Sequence, residues 1–234
     1  MKTFVVIATY NEKENIVILI SEILALAIPD LKIIVVDDNS PDGTAELVKN
    51  NFAAKPVQLI LRKTERGYGS AHITGFKAAI SQDAEIIISM DADFSHQPKV
   101  ISELIKEIEN GNDVVIGSRR VAGGDIVGWG LSRKVASKTA MIITRLILGI
   151  KTKDVTTGFR AYQASVLKDL NLETVKSNGY SFLEELIYRC EKNHLKIKEI
   201  PIIFNDRQLG QSKFSLKEIV KFFITIFKLR FKIK

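Results

Sequence analysis

Five short runs dominated by β-branched and aliphatic residues constrain this chain most: Thr3–Ala8, Lys32–Val36, Val57–Leu61, Glu85–Met90 and Asp113–Ile116. Between them lie amphipathic stretches of helical length, Glu14–Ala27, Thr44–Asn51, Tyr68–Ser81 and Pro98–Asn110. Nearly continuous apolar strands separated by such helices predict an α/β fold with a mostly parallel sheet covered on both faces. Pro98 stands just inside a helix start and Asn110-Gly111 just past its end, the asymmetry that helix termini favour. After Gly117 the pattern changes. A glycine-rich stretch (Gly123, Gly124, Gly128, Gly130) leads into an amphipathic helix at about Leu131–Leu148, then come a strand over Lys196–Phe204 and a terminal helix over about Ser215–Lys232. No repeat or linker divides the chain, so 234 residues read as one domain with elements added over about 118–234.

Composition narrows the function classes. Cys190 is the single cysteine, which excludes an internal disulfide framework and fits a reducing compartment. His72, His96 and His194 lack ligand spacing, which argues against zinc. Residues 1–8 are too short for a signal peptide, and no run of about 18 uncharged apolar residues exists to span a bilayer. The net charge of +7 calls for an anionic partner: phosphates, nucleic acid or an acidic membrane. The lysines are dispersed and no nucleic-acid motif is present, so a nucleic-acid-binding protein is the disfavoured class. A Rossmann oxidoreductase fails for want of G-x-G-x-x-G after the first strand.

In open α/β sheets, ligands bind beyond the carboxyl ends of the strands. Three polar motifs fall there: Ala8-Thr9-Tyr10-Asn11-Glu12, Val36-Asp37-Asp38-Asn39-Ser40-Pro41-Asp42-Gly43-Thr44, and Asp91-Ala92-Asp93. Neighbouring strand residues face opposite ways, so Asp37 and Asp38 cannot share a pocket, whereas Asp91 and Asp93 can. Two convergent carboxylates repel unless one protonates or a hard cation joins them, and such a cation also bridges nucleotide phosphates. The structural alternative has Asp93 capping the next helix and Asp91 solvated. Three acidic loops at strand ends shift the reading to a cation site. Taken alone, Tyr10 and Glu12 read as core and helix-initiating residues, and Asp42-Gly43-Thr44 as a turn with a cap.

These motifs, with Gly117-Ser118-Arg119 and Asp206-Arg207-Gln208-Leu209-Gly210-Gln211-Ser212-Lys213, resemble the inverting family-two glycosyltransferases of GT-A fold, and among them the dolichol-phosphate mannosyltransferases. The resemblance runs from Phe4 to about Phe227, and the final Asp-Arg-x-x-Gly-x-Ser-Lys is its most selective part. It implies a nucleotide-sugar site at Ala8, Tyr10, Glu12, Val36, Asp38, Asp91, Ala92 and Asp93, with Mg²⁺ or Mn²⁺ at Asp91 and Asp93. Ser95 stands where some relatives offer a glutamine to the metal, so that position falls to Ser95 or to water. Acceptor and phosphate contacts are implied at Arg119, Arg133, Arg207 and Lys213, with Asp91, Asp93, Arg119 and Arg207 as the catalytic set. Ala8 departs from the proline usual there. The implied reaction is direct transfer of mannose from GDP-mannose to dolichyl or polyprenyl phosphate. The alternative is a uridine donor and a glucosyl or aminosugar product. The implied setting is peripheral, at the cytoplasmic face of a membrane, with or without a small anchoring subunit.

The residues agree with such a displacement. No serine or cysteine stands beside a histidine as a nucleophile, and no glutamate pair suggests a covalent glycosyl-enzyme. Arg120 and Arg160 receive no role, and Lys134, Lys138 and Arg145 read as surface charges. In the terminal helix, Lys217, Lys221, Thr225, Lys228 and Lys232 form a narrow polar stripe on an otherwise apolar cylinder. Two readings stay open for it: an interfacial helix in a headgroup layer, or one packed on the sheet or a partner.

Overall fold

The computed structural model describes residues 1–175, 177, 179, 181–206, 224 and 226–231. The parallel strands are β1 (Thr3–Thr9), β2 (Leu31–Asp37), β3 (Val57–Leu61), β4 (Ile86–Met90), β5 (Val114–Ser118) and β8 (Ile197–Pro201). With antiparallel β7 (Arg160–Gln163) they form a seven-stranded sheet in the order β3-β2-β1-β4-β7-β5-β8. β6 (Asp125–Val127) pairs in parallel with β9 (Ile203–Asn205) in a second, small sheet.

Alternation along each strand divides the interior into two apolar layers. Val5, Ile7, Ile33, Val35, Ile86, Ile88 and Met90 face one way. They pack on α1 (Ile16–Ala25), α2 (Thr44–Phe52) and α4 (Ile101–Glu109). Phe4, Val6, Ile34, Val36 and Ile87 face the other way. Their layer includes α3 (Tyr68–Ile80), α5 (Leu131–Leu148), α6 (Ala164–Asp169) and α7 (Phe182–Lys192). Helical spacing explains the docking: α1 buries Ile16, Leu19, Ile20 and Ile23, and α4 buries Ile101, Leu104, Ile105 and Ile108. α3 lies close against the sheet: a Cβ on Gly75 would stand 2.3 Å from Val6 Cγ1.

Three features differ from the sequence expectation. The run Lys196–Phe204 is two strands, because the chain leaves the main sheet at Pro201 and crosses to β6; Ile202 N–H donates to Ser118 O on the way. The helix expected from Glu14 begins at Ile16, after a turn in which the Glu12 carbonyl accepts from Asn15 and Ile16. β7 was not expected from the sequence: it is four residues long and opens on a buried arginine. Arg160 is tolerated there because its guanidinium donates to the carbonyls of Leu183 and Val155, each at 2.8 Å. Of the terminal helix, residue 224 and residues 226–231 are helical; the rest of that segment lies outside the described residues.

Candidate active site

β1, β2, β4 and β5 run parallel, so Tyr10–Glu12, Asp38, Asp91–His96 and Arg119 all emerge at one edge of the sheet. β7 runs the opposite way and therefore starts at that edge, which brings Asp154–Phe159 beside them.

Asp37 and Asp38 have different partners. Asp37 is fully buried and accepts from Thr9 Oγ1 (2.8 Å), Ser40 N–H (2.8 Å) and Ser40 Oγ (2.6 Å), tying the first loop to the second. Asp38 accepts from Arg62 Nε (2.7 Å) and Gly67 N–H (2.8 Å). Arg62 also donates to Ser70 Oγ and Gly67 O, fixing the first turn of α3. The Tyr10 ring lies under the Arg66 guanidinium at 5.3 Å. Glu12 N–H donates to Thr44 Oγ1, and the Glu12 carboxylate accepts from Asn15 Nδ2. Asp42 accepts from Thr44 N–H and Oγ, so that turn is structural. Val36 and Ala92 are buried and Ala8 packs on the core, so any nucleotide contact at Val36 or Ala92 falls to the backbone.

Asp91 keeps about a quarter of its side chain exposed and accepts from Tyr68 Oη at 2.8 Å. Asp93 is buried and accepts from Ser95 N–H (3.1 Å) and Ser95 Oγ (2.6 Å), a loop turn well ahead of the helix that begins at Pro98. In this arrangement Ser95 supports Asp93. His96 Nδ1 accepts from Asp91 N–H at 3.2 Å, which assigns the proton to Nε2. Burial pushes the His96 imidazole below its ordinary range, against the pull of Asp91 and Asp93, and the neutral ring stacks on Phe159. Asp91 thus gains no cation from His96. Among the described residues no group of three His, Cys, Asp or Glu side chains could hold a metal unaided. Two carboxylates suit a hard cation whose remaining ligands are diphosphate oxygens and water.

Arg119 is buried and locked to Asp154, with Nε to Oδ2 at 2.7 Å, Nη2 to Oδ1 at 2.6 Å and its own N–H to Oδ2 at 2.9 Å. Burial alone would raise the Asp154 carboxyl; attraction and hydrogen bonds from Arg119 outweigh it and hold it down to about 2. Thr156 takes a further bond from Nη2, and the guanidinium lies 5.1 Å over Phe204. Nη1 of Arg119 makes no hydrogen bond among the described residues, which leaves it for an incoming oxygen. Arg133 is exposed, stacked 3.9 Å over Trp129 and bonded to Asp206 at 3.2 Å. Arg120 reaches Ser137 Oγ, and Lys134 pairs with Asp125 on the surface. Arg207 and Lys213 lie outside the described residues.

This strand-end constellation can be set beside known proteins. The family model described as "Glycosyl transferase family 2" matches residues 4–170. The chain belongs to that family. It is 40% identical over 216 residues to the polyprenol monophosphomannose synthase of Mycolicibacterium smegmatis, covering 92% of this chain and 81% of that one. It is 38% identical to the undecaprenyl-phosphate mannosyltransferase of Micrococcus luteus, covering 92% and 88%. It is also 38% identical to the dolichol-phosphate mannosyltransferase of Pyrococcus furiosus, where 98% of this chain spans 64% of the relative. Among solved structures, glucosyl-3-phosphoglycerate synthase from Mycobacterium tuberculosis, in complex with Mn²⁺, UDP and product, superposes with a TM-score of 0.71 at 18% identity. The superposition covers 98% of this chain and 80% of that one, and shows the shared GT-A fold.

Sequence reasoning did not select Tyr68, Arg62, His96, Asp154 or Phe204. Arg62 directly follows a strand, as the chosen acids do, and that position was its available signal. Nothing local marks Asp154 or Tyr68; only the fold brings them to the site.

Proposed function

We propose that this enzyme transfers mannose from GDP-mannose to a polyprenyl or dolichyl phosphate with inversion. The observation that carries the reading is a set of acids and arginines at one sheet edge, in a chain 38–40% identical to enzymes named for polyprenyl- and dolichyl-phosphate mannosylation. Asp38, Tyr10 and Glu12 line the nucleoside end, and Asp91 and Asp93 the diphosphate end. Asp91 and Asp93 would hold a Mg²⁺ or Mn²⁺ ion, which would supply charge stabilisation for the leaving diphosphate. Tyr68 and Ser95 fix those two carboxylates; Asp154 aims Arg119 so that Nη1 meets the acceptor phosphate, with Arg133, Arg207 and Lys213 completing the phosphate site.

In the reaction, an acceptor phosphate oxygen attacks the anomeric carbon while the bond from that carbon to the diphosphate breaks, releasing GDP. A monoalkyl phosphate has its second pKa near ~6 and is mostly dianionic at neutral pH, so no general base is required. The neutral, buried His96 fits that account, since it is not placed to titrate. What remains for the protein is to hold two anions in line and exclude water.

A lipid acceptor requires the site to approach a bilayer. No helix among the described residues is long and apolar enough to cross one. α5 instead carries an outward stripe of Leu131, Val135, Ile142 and Leu146, the two leucines 79% and 77% exposed. It has no acidic residue, and Lys134, Lys138 and Arg145 flank the stripe. In the terminal segment Ile226 is buried while Ile224, Phe227 and Phe231 stay exposed. Such faces suit an anionic headgroup layer at the cytoplasmic side. The deciding experiment supplies labelled GDP-mannose, UDP-glucose and UDP-N-acetylglucosamine separately with a short-chain polyprenyl phosphate and Mn²⁺ or Mg²⁺. Mannosyl phosphate formed only from GDP-mannose is the expected result. Transfer from a uridine donor alone overturns the donor assignment, and equal use of free polyprenol overturns the phosphate acceptor.

A further inference from the structure

Tyr68 is the first residue of α3, and its phenol donates to Asp91 Oδ1 at 2.8 Å. Contacts from its neighbours among the described residues hold it there. The preceding residue is pinned: Gly67 N–H donates to Asp38 and Gly67 O accepts from Arg62. The ring packs edge-on against His72, with centroids 4.5 Å apart. The third is backbone: a Cβ on Gly158 would lie 2.3 Å from Tyr68 Oη and 2.9 Å from Asp91 Oδ1, so the chain before β7 closes directly over the phenol–carboxylate pair. Ser89 Oγ donates to Gly158 O at 2.6 Å and holds that closure in place.

We propose that Tyr68 is the positioning residue for Asp91: by occupying Oδ1 it fixes the carboxylate plane and presents Oδ2 to the cation that joins Asp91 and Asp93 to the donor diphosphate. The inference rests on the metal reading above. A donor hydrogen bond to a metal-binding carboxylate sets its orientation, and losing such a partner typically lowers metal affinity by about ten- to a hundredfold. One α3 turn then serves both ends of the donor site, since Gly67 engages Asp38 and Tyr68 engages Asp91.

The test is calorimetric titration of GDP, with UDP in parallel, in Mn²⁺ and in EDTA. Tyr68→Phe keeps the ring on His72 and removes only the hydroxyl. The metal-dependent gain in nucleotide affinity is expected to fall about tenfold or more, with affinity in EDTA and the melting temperature close to wild type. Gly158→Ala, whose Cβ collides with the phenol, is expected to reduce the same gain. That Cβ also comes within 2.9 Å of Asp91 Oδ1, so Gly158→Ala reports on the pair and Tyr68→Phe on the phenol alone. An unchanged gain in Tyr68→Phe overturns the proposal. Should Gly158→Ala fail to fold, Tyr68→Phe alone decides. Wild-type nucleotide binding that is indifferent to chelator overturns the metal reading and this proposal with it, an outcome visible before any variant is made.

Discussion

Replacing Asp154 with asparagine tests the electrostatic centre of this site most directly. The carboxylate is fully buried and accepts three bonds from Arg119 at 2.6–2.9 Å. Asparagine keeps the shape but removes the charge, leaving a buried guanidinium without its counter-ion. Two routes to the magnitude are available. A carboxyl held at about 2, against an ordinary value of 3.8, corresponds to about 2 kcal/mol of linked stability. Breaking one partner out of a buried pair costs about 3–5 kcal/mol, more because the survivor stays buried. The second estimate governs the substitution, since Arg119 cannot neutralise. At about 2–4 °C per kcal/mol for a domain of this size, the melting temperature should drop by roughly 6–20 °C.

The same pair sets a pH signature. A depressed carboxyl contributes stability that is present above its unfolded pKa and is lost as pH falls through its folded pKa, here the window from about 4 to 2. Urea unfolding followed by circular dichroism should therefore show the gap between wild type and Asp154→Asn at full size at pH 7. By pH 3 the linked part of that gap should have shrunk by about half. Equal stability of the two proteins at pH 7, or a gap that ignores pH from 5 to 3, refutes the account. Labelled-sugar transfer adds a functional arm: with Arg119 no longer aimed, the KM for polyprenyl phosphate should rise more than the KM for GDP-mannose.

Two further perturbations probe the core and the surface. Burial pushes the Glu184 carboxyl up to about 8, with the pull of nearby Arg160 too weak to offset it. Stability is then highest below the unfolded pKa near 4.5 and falls as pH rises toward 8; Glu184→Gln should gain on the order of 3 kcal/mol on wild type between pH 4 and pH 7, and a pH-independent difference in urea unfolding would contradict it. On α5, Leu131→Glu with Leu146→Glu should cut co-sedimentation with phosphatidylglycerol vesicles by more than tenfold while GDP binding holds. Retained vesicle binding, or wild-type protein that ignores vesicles without an added subunit, removes α5 as the lipid-facing element.

Much of this architecture was legible because both faces of the sheet are covered. Apolar runs such as Thr3–Thr9 then stand out, and helices of clean period such as Leu131–Leu148 emerge with matching bounds. Asp38, Asp91 and Asp93 could be placed at the sheet edge from sequence for a related reason: each closely follows an apolar strand. The remainder was hidden by tertiary compensation. Arg160 makes β7 look unlike a strand because two distant carbonyls, not local sequence, satisfy its charge. Asp154 and Tyr68 were hidden because their roles come from partners 35 and 23 residues away, on other elements. Arg207 and Lys213, chosen on motif, lie outside the described residues and rest on that motif alone.

The period of two along the strands decides which acids the site can use. Val36 faces the α3 layer and Val35 the α1 layer, so the next two residues continue the alternation. Asp37 falls on the α1 side and is consumed by Thr9 and Ser40, whereas Asp38 falls on the α3 side and meets Gly67. On β4, Met90 belongs to the α1 layer, so Asp91 turns to α3 and meets Tyr68, and Ala92 returns to the α1 layer. Both acids that meet α3 therefore reach its first turn, Asp38 through the Gly67 N–H and Asp91 through the Tyr68 phenol. A one-residue slip in either strand would exchange Asp38 for Asp37, or Asp91 for Ala92, and the proposed donor site would lose one end. Register within the core thus fixes which acids stand at the edge beside α3, a helix packed so close to the sheet that a side chain at Gly75 would strike Val6 and Val36.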